Sequence, residues 1–118
     1  MENTIIRHNA YLRGNVIIGP NSLVGNSEIK NSILIGNDNI PHFNYVGDSI
    51  LGQNINMGAG IKIANLRFDR KNIIIENFQT DLHKVGAFIS DNVEIGCNSV
   101  IAPGTIVLSN RSEERRVG

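Results

Sequence analysis

Tryptophan is absent from these 118 residues, aromatics make up 5%, and there is a single cysteine. A core of stacked rings is therefore excluded. Packing falls to the recurring Ile and Val, which favour strands over helices. Cys97 has no partner for an intrachain disulfide, so a stapled secreted mini-protein is excluded and a reducing compartment fits. No apolar run approaches the roughly 18 residues that a membrane-spanning helix needs, and the start MENTIIRHNA lacks a signal-peptide apolar segment. The chain reads as soluble and cytoplasmic, with no membrane partner. Neither sign of charge dominates: 11 basic residues balance 11 acidic ones, which removes the electrostatic case for nucleic acid. A phosphate-cradling G-x-x-x-x-G-K-[ST] loop is missing as well.

What is present is a period. Ile18, Val24, Ile35, Val46, Leu51, Met57, Ile63, Ile95 and Ile101 each precede Gly or Ala, at steps of mostly six residues and sometimes five. A unit that short cannot bury its own apolar side chain, so successive units must stack into a shared interior. Gly, Asn and Asp after the anchors, as in Gly36-Asn37-Asp38-Asn39, suit corners that need positive φ. The fold class expected is all-β: a parallel β-helix built of hexapeptide units, with one extended loop. An amphipathic helix does not fit, because no i, i+3, i+4, i+7 pattern lasts beyond a turn. The spacing does not set the hand of the coil.

Between about Asn65 and Lys84 the register lapses, and a loop leaves the coil. Two readings stay open there: a functional excursion, or a small strand at Asn72 to Glu76 (NIIIE) that packs back on the coil. The repeat resumes at Val85 and stops after Leu108. Residues 109–118 (SNRSEERRVG) are crowded with charge and keep no repeat. They read as a tail resembling appended, non-native sequence, so the coil domain is placed at 1–108.

The stretch PHFNYVGDSILGQNINMGAG, followed by ANLRFDRK, carries a more specific signal. It resembles the acetyltransferase domain of bifunctional sugar-1-phosphate nucleotidylyltransferase/acetyltransferases. These include the bacterial glucosamine-1-phosphate enzymes and archaeal-type relatives that also accept galactosamine 1-phosphate. The resemblance covers residues 10–108. It implies a left-handed coil that forms a homotrimer with active sites between subunits. It also implies acetyl transfer from acetyl-CoA, as co-substrate, to the amine of an amino-sugar 1-phosphate in nucleotide-sugar biosynthesis.

Site residues follow from the same resemblance. His42 would be the general base, since an imidazole with an ordinary pKa of about 6.5 can take the amine proton near neutral pH. Tyr45 and Asn56 would contact the sugar. Asn65 would position the amine or the developing tetrahedral centre. Ala59 would offer a main-chain N–H to the thioester carbonyl. Arg13, Lys30 and Lys71 would hold phosphate and hexosamine through charge-assisted bonds. Cys97 would lie beside acetyl-CoA as a buried, inert thiol. Where the family continues with Thr-Ile-Thr after the GAG, this chain has Ile61-Lys62-Ile63. No metal is expected, because His8, His42 and His83 fall where the repeat would not bring them together. The upstream nucleotidylyl domain of relatives has no counterpart here, so the chain is not expected to make a nucleotide sugar by itself. Two alternatives remain: a non-catalytic trimerising β-helix, and a hexapeptide acyltransferase with another acceptor.

Overall fold

The computed structural model describes residues 2–113, 116 and 117. They form short strands and no helix, and so no helix long and apolar enough to cross a membrane. Among the described residues strand pairing is parallel except for one hairpin, and the chain winds as a β-solenoid of about six turns, consistent with the left-handed coil. Hydrogen-bonded groups stacked one turn apart lie 16 to 18 residues apart in sequence.

Three faces follow from the alternation of side chains along each strand. On the first, Val24, Ile40, Met57 and Ile95 point inward. On the second, Ile29, Val46, Ile63 and Ile101 do so, and on the third Ile18, Leu34, Leu51, Ile89 and Val107. These rows are the core. Strands Leu23–Lys30 and Asn39–Gly47 run from the first face onto the second without a break, so those two faces form one sheet. Eight of the nine spaced anchors are buried. Ile35 is the exception: Leu34 stacks under Leu51, which turns Ile35 out to solvent.

Polar side chains close the corners from inside. Ser22 Oγ accepts the Asp38 N–H, and Asp38 Oδ1 accepts the Ile55 N–H one turn further on. Ser27 and Asn44 repeat this at the second corner, and Ser32 and Ser49 at the third. Buried amides that turn away from the ladder thus find acceptors. At one outer edge Asn21, Asn37, Asn54, Asn92 and Asn110 lie one above another in left-handed conformation, which asparagine tolerates.

The loop leaves at Asn65 and returns at Val85, whose N–H donates to the Asn65 carbonyl at 3.0 Å. The reading of a small strand that packs back on the coil is the one its form supports. Within it Ile74–Ile75 pairs antiparallel with Phe78–Gln79. Ile73 is buried, and the hairpin crosses Gly104, where an added Cβ would meet the Ile74 carbonyl at 2.9 Å. Past Leu108 the backbone keeps pairing, Ser112–Glu113 with Glu94–Ile95 and Arg116–Val117 with Val100–Ile101. The ladder thus outlasts the apolar repeat, since Arg111 and Ser112 are exposed.

Candidate functional site

The sequence-predicted residues sort onto two edges of the prism. His42, Ala59 and Cys97 stack along the edge between the first and second faces, because Gly60 N–H donates to the His42 carbonyl and Asn98 N–H to the Ala59 carbonyl. His42 is exposed there. Cys97 is exposed too, so the expectation of a buried thiol is wrong: it sits at a corner, two residues past inward-facing Ile95. Its Sγ accepts the Ala59 N–H at 3.3 Å, and it approaches this closely because residue 58 is glycine; a Cβ there would lie 2.8 Å from the sulfur. Asn56 is separate from this edge, outward on the first face, with its Oδ1 accepting from Asn39 Nδ2 at 2.8 Å.

The second edge, between the second and third faces, gathers Lys30, Tyr45 and Asn65. Asn65 Nδ2 donates to Tyr45 Oη at 2.9 Å and to Asp48 Oδ2 at 2.7 Å, and Lys30 Nζ donates to the same Oδ2 at 3.1 Å. Asp48 is the residue the sequence reading passed over. Its signal was present in the Gly47-Asp48 turn, but only stacking across turns shows what the carboxylate holds. Arg13 lies one turn below Lys30 and pairs with Glu28 at 2.6 Å, which pushes the guanidinium pKa above its ordinary value. Lys71 stands apart, exposed in the loop, its backbone N–H bonded to Asp69. Asp69 is held below the usual carboxylate range by Arg67, which grips both of its oxygens.

Against the stem of the loop lies a groove of about 690 Å³, lined by Ala64, Leu66, Phe68, Val100, Ala102 and Pro103 with Arg67 and Asp69. Ala64 and Leu66 flank Asn65 in the chain, so the groove opens beside the second edge. Nothing in the hexad spacing foretold it, because it needs the loop folded back over the coil.

No protein-family model matches the chain. Curated proteins do. It is 47% identical over 106 residues to the bifunctional protein GlmU of Methanococcus maripaludis, covering 86% of this chain and 26% of that protein. It is 41% identical over 101 residues to the bifunctional sugar-1-phosphate nucleotidylyltransferase/acetyltransferase of Sulfurisphaera tokodaii, covering 81% of this chain and 25% of that one. These proteins are its homologues. A bacterial GlmU, from Acetivibrio thermocellus, is 35% identical over 96 residues, which is 80% of this chain and 18% of that protein. The chain spans about a quarter of the length of the archaeal relatives, in their C-terminal part.

Proposed function

We propose that this chain carries the acetyltransferase activity named for the Sulfurisphaera relative, moving an acetyl group from acetyl-CoA to the amine of glucosamine 1-phosphate or galactosamine 1-phosphate. The observation that carries the reading is the second edge: a cation, a phenol and a carboxamide joined in one hydrogen-bonded cluster, in a chain whose homologues are bifunctional sugar-phosphate enzymes. In this reading Lys30 and Tyr45 hold the sugar phosphate, with Arg13 and Lys71 adding positive charge and Asn56 a sugar contact. His42 takes the amine proton as nitrogen attacks the thioester carbon. The C–S bond then breaks and the coenzyme leaves as a thiol. Ala59 N–H, once it exchanges its Cys97 partner for the carbonyl oxygen, stabilises the charge developing there.

His42 and the Asn65 cluster occupy different edges of one copy, so a site that uses both draws them from two copies. We infer a homotrimer on this ground. An outward row on the third face, Ile17, Ile33, Ile50, Phe88 and Ile106, supports association: it is apolar along its whole height and borders the Asn65 edge. The same reading places the apolar coil at 1–108, with the paired backbone of residues 112–113 and 116–117 continuing its ladder, and the protein in the cytoplasm.

A thiol-release assay with acetyl-CoA and a panel of acceptors tests the proposal. Turnover with amino-sugar 1-phosphates, and none with hydroxyl acceptors of similar size, is the expected result. Turnover confined to hydroxyl acceptors, or absent throughout from a folded and associated protein, would remove it.

A further inference from the structure

The carboxylate of Asp48 touches two of the residues assigned to the acceptor, and it fixes what one of them can offer. Its Oδ2 meets both Lys30 Nζ and Asn65 Nδ2. The side chains of Lys30 and Asp48 are only 13% and 17% exposed, so water competes weakly for this pair. A carboxylate only accepts, so the end of the Asn65 amide turned toward it is the NH2. Both hydrogens of that NH2 are then engaged, one by Asp48 and one by Tyr45 Oη. Asn65 is left with its carbonyl oxygen alone. Tyr45, having accepted a hydrogen bond, keeps its own proton to donate. The approach of the two side chains depends on Gly47, where a Cβ would lie 2.5 Å from Tyr45 Oη and 2.6 Å from Asn65 Nδ2.

We propose that Asp48 is a positioning residue that makes Asn65 an acceptor-only contact. The inference rests on the acceptor site proposed above. The edge then offers hydrogens from Lys30 and Tyr45 and a lone pair from Asn65, which fits an amine set among hydrogen-accepting hydroxyl and phosphate oxygens. With a carboxamide at position 48, Lys30 can keep the oxygen while the NH2 faces Asn65, so the Asn65 amide is free to turn over and point its own NH2 at the substrate amine, donor against donor.

Asp48→Asn separates this role from a structural one. Position 48 is a left-handed corner with φ 51°, and Asn31 makes the same turn one coil below with φ 47°, so asparagine keeps the backbone and the fold. Two measurements on the full chain are needed. In 15N NMR, hydrogen exchange of the Asn65 side-chain amide should be about tenfold faster or more in the variant. In the acetyl-transfer assay, kcat should fall about tenfold to a hundredfold while KM for the amino-sugar phosphate stays near its wild-type value, because Lys30 keeps its place. Unchanged amide exchange overturns the proposal whatever the assay gives, and so does a kcat matching that of an active wild type. If exchange accelerates but wild type transfers no acetyl group, the positioning role stands and the acceptor reading falls.

Discussion

Asp38 lies inside the coil in a row with Ser22 and Ile55, and among the described residues its Oδ2 has no hydrogen-bond partner. Burial pushes its pKa up to about 7. Between the unfolded value near 4 and about pH 7 the folded chain keeps a proton that the unfolded chain releases. Stability to unfolding should therefore fall as pH rises through that window, by a few kcal/mol, and level off above it. Urea titrations from pH 4.5 to 8 would show the slope. Asp38→Asn, which keeps an oxygen for the Ile55 N–H, should flatten it; an equal slope in the variant would mean that another group is responsible. On the proposed mechanism, His42→Ala should lower kcat about 10² to 10⁴-fold, with much less effect on binding of the sugar phosphate by calorimetry. The sequence could point to His42, Tyr45 and Asn65 as candidates because the motifs around them resemble those of a known family. It could not show that Asp38 faces inward, because corner carboxylates read alike whichever way they turn. Cys97 was misjudged for the same reason: whether a corner residue is buried depends on which neighbour the turn points inward.

Among the elements, the loop from Asn65 to Lys84 is held by a small set of contacts. Ile73 donates its N–H to the Leu82 carbonyl, and its own carbonyl accepts from both Thr80 N–H and Thr80 Oγ1. Its side chain is buried, and the glycine beneath the hairpin has φ +78°, a backbone that side chains resist. Gly104→Ala should therefore cost more than about 1 kcal/mol. Because the hairpin must lift, trypsin should cut at Arg70, Lys71 or Lys84 faster in the variant than in wild type. Unaltered cleavage would show that the loop is secured elsewhere. The boundaries of this loop were legible, since the hexads stop and restart. Its docking was not, because NIIIE gives no sign of which Ile turns toward the coil. The hexads also misassigned one anchor, Ile35 for Leu34, where a step of five residues in place of six leaves the period ambiguous between neighbours.

For the whole molecule, the proposed trimer predicts a light-scattering mass three times that of the chain, independent of dilution over the working range. The outward row supplies the perturbation. Ile50 is 42% exposed in one copy, so Ile50→Asp should leave the fold intact while placing a charge at an apolar contact. The variant should elute as a monomer with an unchanged circular dichroism spectrum. A trimer that survives would mean that the row is not the contact.

Hydrogen-bonded partners on either side of the loop, such as Asn54 and Asn92, are 38 residues apart in the chain, against 16 to 18 for stacked pairs such as Ser22 and Asp38 or Lys30 and Asp48. Loop-closure entropy grows only with the logarithm of length, so a doubling costs about 0.6 kcal/mol. The coil therefore tolerates almost any segment whose ends meet as Asn65 and Val85 do. Selection, or a designer, is free to rewrite the residues that reach outward from this edge without renegotiating the stack beneath them, and on the proposed function acceptor preference can diverge among chains whose scaffolds remain superimposable.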